Sequence, residues 1–137
     1  MKILIPDVIK DKGKIEKTIF GKNTEVLIFN ATKTSQIKDN IWNNVDAILA
    51  FDTLNYDKYI LSKLKKCKII VRVGAGYDNV DLVEAKRRNI IVSNVPDYGI
   101  DEVADHALSL LLSLNRNIFN FHEETKFDEL INSINEE

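Results

Sequence analysis

The stretch from Lys68 to Arg116, KIIVRVGAGYDNVDLVEAKRRNIIVSNVPDYGIDEVADHALSLLLSLNR, holds the residues best placed to do chemistry. Arg72 stands near the end of a β-branched apolar run, and Gly74-Ala75-Gly76 follows almost at once. Two residues without a Cβ let the backbone bend sharply and let a ligand approach peptide N–H groups closely. Such donors beside a planar guanidinium suit a small carboxylate. Two plainer readings stand next to that one. Gly-x-Gly is also an ordinary tight turn, and Arg72 could pair with a carboxylate of the chain itself, such as Asp97. Asp78 or Asn79 is expected to cap a helix with Asp81 in its first turn, Arg87-Arg88 to close it, and Asn89 to end it in a left-handed conformation. Strand, glycine turn and helix N-terminus would then meet at one point as an anion site.

Other constellations carry less. Gly74-Ala75-Gly76-Tyr77-Asp78-Asn79 approaches the dinucleotide fingerprint G-x-G-x-x-G but has Asn79 at the third glycine. It also follows the fourth expected strand, whereas that fingerprint normally occupies the first strand–helix turn of its domain. His106 lies one helical turn from Glu102, but a helix N-terminus disfavours an imidazolium and no nucleophile is adjacent. His122 follows Phe121 in an irregular segment. No His, Cys, Asp and Glu cluster has metal-ligand spacing, and there is neither G-x-S-x-G nor a P-loop. Asp52, directly after the third expected strand, occupies the acceptor place of a phospho-receiver domain. Only one acid, Asp7, follows the first strand, and Asn94-Val95-Pro96 stands where such a domain has lysine–proline.

Those residues need a scaffold, and the rest of the chain supplies one. Strands are expected at Lys2–Pro6, Thr24–Phe29, Val45–Phe51, Lys68–Val73 and Ile90–Ser93, the third and fourth apolar enough to be buried. Helices are expected between them. Lys10–Gly21 has Ile15, Ile19 and Phe20 at helical spacing and a start weakened by Gly13. Ser35–Trp42 has Ser35 as candidate cap and Ile37, Ile41 and Trp42 as its inner face. Tyr56–Lys66 presents Tyr59, Ile60 and Leu64. This alternation predicts an α/β fold: a flavodoxin-like five-stranded parallel sheet, order 2-1-3-4-5, with helices on both faces and a ligand crevice at the carboxyl ends of the strands. Residues 1–98 would form that domain. Residues 99–137 would add a long linker helix from the Gly99 cap and a short amphipathic tail helix over Thr125–Glu137. Ala104, Ala107, Leu108, Leu111, Leu112 and Leu114 leave little of the long helix polar, so another domain or subunit is expected to meet it.

Composition sets the bounds. A chain of 137 residues with 45% hydrophobic and 29% charged residues is sized for one compact domain. A net charge of −2 leaves no basic footprint for nucleic acid. The longest apolar run, Ala107–Leu114, is far short of the ~20 residues of a membrane span. One cysteine, Cys67, rules out an internal disulfide, and the N-terminus lacks a secretory pattern, so a reducing cytoplasm is the expected compartment.

From Val45 to Arg116 the chain resembles the substrate-binding (catalytic) domain of the D-isomer-specific 2-hydroxyacid dehydrogenases, most of all the C-terminal-binding-protein-like and phosphoglycerate-dehydrogenase-like members. KIIVRVGAGYDNVD, the following helix with IIVSNVP, and DEVADHALSLLLSLNR keep that family's order and spacing without a gap. The resemblance implies NAD-linked interconversion of a small 2-hydroxy acid and a 2-keto acid. It places Arg72 near substrate, the amides of Gly74, Ala75 and Gly76 on its carboxylate, and Ala75 and Val103 towards the nicotinamide end of NAD. His106 matches a family histidine that is not the catalytic one. The family's dinucleotide domain, with its catalytic Arg, Glu and His, should begin after Arg116. NIFNFHEETKFDELINSINEE stands there instead, so no catalytic residue is assigned. The expectation is an incomplete enzyme that works as a homodimer or with a companion dinucleotide-binding chain, joined through the 99–116 helix. The alternative is a non-enzymatic module that binds a small carboxylate or another protein.

Overall fold

The computed structural model describes residues 1–10 and 13–135. Five short strands, β1 (Lys2–Ile5), β2 (Glu25–Ile28), β3 (Ala47–Ala50), β4 (Ile69–Arg72) and β5 (Ile91–Ser93), form one sheet in the order β2-β1-β3-β4-β5. All four pairings are parallel. The flavodoxin-like order expected from the alternation of elements is therefore the one found. Among the described residues six α-helices complete the fold: α1 (Lys14–Phe20), α2 (Asp39–Trp42), α3 (Lys58–Lys63), α4 (Leu82–Arg87), α5 (Ile100–Asn115) and α6 (Ile118–Asn135). By internal contacts the chain divides into two compact units, Met1–Tyr98 and Gly99–Glu137.

Strand side chains alternate between faces, and the main core forms on one of them. Leu4, Ile48 and Ile70 from three neighbouring strands meet Trp42 of α2, Ile60 and Leu61 of α3 and Ala85 of α4. Trp42 is wholly buried and stands edge-on to the Tyr56 ring at 6.4 Å between centroids. Burying a side chain of this size contributes about 1.5–3 kcal/mol. On the opposite face Ile3, Ile5 and Ala47 are also buried. There Gly13, in a left-handed conformation at the head of α1, lies against Ile28 and leaves no room for a Cβ.

Several expected elements differ in detail. The helix expected over Ser35–Trp42 is broken: a 3-10 turn at Thr34–Gln36 is followed by an extended Ile37 before α2. Ser35 is not its cap. Gln36 organises the turn instead, its Oε1 accepting from the N–H groups of Thr32 (2.8 Å) and Lys33 (3.0 Å). The helix expected from Tyr56 begins at Lys58 after the Asp57 cap, whose side chain accepts from Ile60 N. Tyr59 points outward rather than into the core, with Lys63 Nζ 4.1 Å from its ring centroid. Lys63 also pairs with Asp39 at 2.6 Å, and that hydrogen bond holds its ammonium above the ordinary value. Asn89 ends α4 with φ +58°, as its residue type suggested.

The described part of the second unit consists of α5 and α6, broken at Arg116 and Asn117. α5 opens at the expected Gly99 and contains no buried residue; Leu111 is 62% exposed. The tail helix is longer than expected, running from Ile118 rather than Thr125. Phe127 and Ile131 remain largely exposed, and the side chains of Leu130 and Ile134 lie outside the described residues. Among the described residues no helix is long and apolar enough to cross a membrane.

Candidate substrate site at the carboxyl rim

The strand order brings the loops after β1, β3, β4 and β5 to one rim. Their geometry starts from a residue with no motif around it. Asp7, just beyond β1, is fully buried and makes no ion pair among the described residues. Its carboxylate accepts four hydrogen bonds, from Phe51 N and Thr53 N (both 3.1 Å), Leu54 N (3.0 Å) and the Tyr56 hydroxyl (3.0 Å). A buried carboxylate persists only when its lone pairs are used in this way. Burial first, and then the Asp7 charge, push the Tyr56 phenol well above its ordinary value, so it stays a donor.

The same loop is tied from the other side. Asn79 Nδ2 donates to the carbonyls of Phe51 (2.9 Å) and Leu54 (2.8 Å), and Tyr56 N donates to Asn79 O at 2.7 Å. Asp81 N returns a bond to Tyr56 O, making a short parallel bridge between Tyr56 and Val80. The position that breaks the dinucleotide fingerprint thus has its own employment. It latches the β3–α3 loop.

Between these fixed loops lies the glycine turn. Arg72, at the end of β4, folds its guanidinium back over Gly74, where a Cβ would strike it. One of its terminal N–H groups donates to Val73 O at 2.9 Å, while its buried Nε has no partner. Among the described residues no carboxylate lies within ion-pair distance, so pairing with Asp97 does not occur. Asn94 Nδ2 supports the turn by donating to Ala75 O (2.8 Å), and Val95 N donates to Gly74 O (3.0 Å).

The donors differ from the expected set. Gly74 N–H is directed to Arg72 O at 2.9 Å. Of the three expected amides, the exposed ones of Ala75 and Gly76 take no acceptor among the described contacts. Nor does a helix begin at the turn. α4 starts at Leu82, and its cap is Asp81, accepting from Glu84 N at 2.9 Å, rather than Asp78 or Asn79. A side-chain carboxylate already serves that helix end. What remains at the turn is two amides and one guanidinium, a donor set matched to a single carboxylate.

Elsewhere the candidate chemistry disperses. His106, Glu102 and Val103 are exposed on α5, and His122 is exposed on α6. No hydrogen bond or ion pair joins His106 to Glu102 among the described contacts. Among the described residues no cluster of three or more His, Cys, Asp or Glu could hold a metal. The receiver reading fails on Asp7, whose oxygens are committed to backbone donors beneath the loop that carries Asp52. Cys67 is buried, and burial pushes its thiol up to about 11.

The fold is a doubly wound parallel α/β domain, a class in which ligands bind at the carboxyl ends of the strands. The chain belongs to the D-isomer-specific 2-hydroxyacid dehydrogenase family, matching the model of its catalytic domain over residues 4–136. It is 31% identical over 105 residues to C-terminal-binding protein 1 of Caenorhabditis elegans, covering 77% of this chain and 14% of that protein. With glyoxylate reductase of Thermococcus litoralis it shares 43% identity over 74 residues, covering 54% of this chain and 22% of the relative. The apo-structure of D-lactate dehydrogenase from Escherichia coli superposes with a TM-score of 0.62 at 29% identity, over 90% of this chain and 40% of that one. D-lactate dehydrogenase from Aquifex aeolicus, solved with NAD and lactic acid, gives 0.78 at 21% identity, over 92% and 37%, a likeness of fold. The chain therefore spans less than half the length of each of these relatives.

NAD is bound in the Aquifex aeolicus structure. A pyrophosphate needs a glycine turn that runs into a free helix N-terminus. Here Asn79 replaces the third glycine, and Asp81 places a carboxylate on the first turn of α4. The residues of this chain do not fit a whole dinucleotide.

Proposed function

We propose that this chain forms the substrate side of an NAD-linked D-2-hydroxyacid dehydrogenase, holding the carboxylate of a small 2-hydroxy or 2-keto acid. Arg72 carries the reading: a guanidinium free of any carboxylate partner, with a buried Nε unsatisfied, beside the open amides of Ala75 and Gly76. Since the rim does not fit the pyrophosphate, NAD would be held by a dinucleotide-binding part outside these residues. Ala75 and Val103 are the positions offered to its nicotinamide end, as the family resemblance implies. We expect no turnover of NADH with simple 2-keto acids by residues 1–137 alone.

The exposed leucines of α5 favour a second body on this helix, either a second copy of the chain or the dinucleotide-binding part. Cys67, buried and unpaired, agrees with a reducing cytoplasm. A second reading draws on the poor dinucleotide fit: a module that binds a small carboxylate and does no redox chemistry. Titration of the 15N-labelled chain with glyoxylate tests the shared core of both. Amide shifts at Ala75 and Gly76 that vanish in Arg72→Ala support the site. Unchanged shifts in that variant remove it. Adding a dinucleotide-binding domain of the family in trans then separates the two readings, because only the first expects NADH oxidation.

A further inference from the structure

Asp52 and Asp78 are left over from that site, both exposed. Ala50 of β3 pairs in register with Arg72 of β4, and Val73 N donates to Ala50 O at 2.8 Å. Asp52 and Gly74 therefore follow at matching steps beyond the paired strands. The backbone of Asp52 cannot drift, because Asp7 holds the N–H groups on either side of it and Asn79 holds the Phe51 carbonyl. Its side chain is exposed and takes no hydrogen bond or ion pair among the described residues. Asp78 flanks the turn from the other end, with its Oδ1 3.2 Å from where a Cβ on Gly76 would lie. It too is exposed and without a partner among the described contacts.

The turn that carries Arg72 is thus flanked by two exposed acids, Asp52 by strand register and Asp78 beside Gly76. We infer that Asp52 and Asp78 determine specificity, confining the site to 2-keto and 2-hydroxy acids that bear a single negative charge. This rests on the carboxylate site proposed above and narrows its substrate class. The first carboxylate of a ligand is balanced by Arg72 and the two amides. A second carboxylate or a phosphate would add a charge of the same sign as Asp52 and Asp78. At separations of about 6–8 Å near a protein surface, such repulsion amounts to roughly a 5- to 10-fold weaker affinity.

The test compares 2-oxopentanoate with 2-oxoglutarate, which has the same chain length and one more carboxylate, by titration followed at the Ala75 and Gly76 amides. The wild-type chain should bind 2-oxopentanoate about 5- to 10-fold more tightly, and the gap should narrow in roughly 1 M salt. In the D52N/D78N variant, which alters only exposed side chains, the two affinities should agree within about twofold. Equal affinities in the wild type, or a gap that persists in the double variant, would overturn the inference and leave the carboxylate site standing. If neither acid moves those amides in the wild type, the site itself is wrong and this inference goes with it.

Discussion

The two units of the chain are built from similarly apolar segments and treat them in opposite ways. In Met1–Tyr98 the strands and helices α2, α3 and α4 bury their hydrophobic residues against one another, down to a fully enclosed Trp42. In α5 leucines are denser still, yet not one residue is buried. Apolar periodicity establishes that a segment wants a partner, without saying whether the partner lies within the same unit. In the first unit the sheet answers that demand. In the second the demand stands open.

The largest test of this contrast is a pair of truncations. Trp42→Ala should destabilise the first unit by about 3–5 kcal/mol in urea unfolding, whereas Leu111→Ala should change stability by roughly 0.5 kcal/mol or less. Similar losses would erase the distinction. Next comes the buried carboxylate. Asp7→Asn leaves backbone donors facing an amide group and should remove about 2 kcal/mol of stability. Faster hydrogen exchange is expected at Thr53 and Leu54, with no comparable change at amides of β2. Uniform loss of protection would mean that Asp7 serves the whole core rather than the rim.

A subtler effect belongs to α5. Replacing Leu108, Leu111 and Leu112 with serine should weaken self-association by about tenfold or more in sedimentation equilibrium while the far-UV signal of the first unit persists. A wild-type chain that stays monomeric at high concentration would remove the second copy as an occupant. The smallest effect concerns Cys67. Its folded thiol is raised from the ordinary 9.0 to about 11, so the fold binds that proton more tightly than the unfolded chain does. The associated stability is complete below pH 9 and declines as the pH rises towards 11. Cys67→Ala should flatten that alkaline decline, and an unaltered profile would assign it to other groups.

The sheet was legible because its cues are local and repeated: β-branched runs of strand length, short connections, and caps such as Gly99 and Asn89. Boundaries were less so. Ser35 looked like a cap because its type fits, but Gln36 reaches the backbone of Thr32 and Lys33 and takes that place. Arg72 and the glycine turn could be found from residue type and spacing. Asp7 could not, because a lone aspartate after a strand is common and its importance lies in donors that arrive from residues 51–56 only once the sheet has formed. Tyr56 looked like the first residue of a helix, and its hydroxyl partner was equally distant in sequence. The expected meeting of glycine turn and helix end failed for a related reason: Tyr56 and Val80 form a bridge that postpones α4 until Asp81.

The double tie from Asn79 to Phe51 and Leu54 bears on any attempt to engineer this turn. Converting Asn79 to glycine would complete the G-x-G-x-x-G string on paper, yet it would strip two carbonyls of their donor and loosen the wall that carries Asp52. The outcome would be a poorer pocket for acids and still no home for a nucleotide. At this rim, a closer match to the consensus would mean a worse protein.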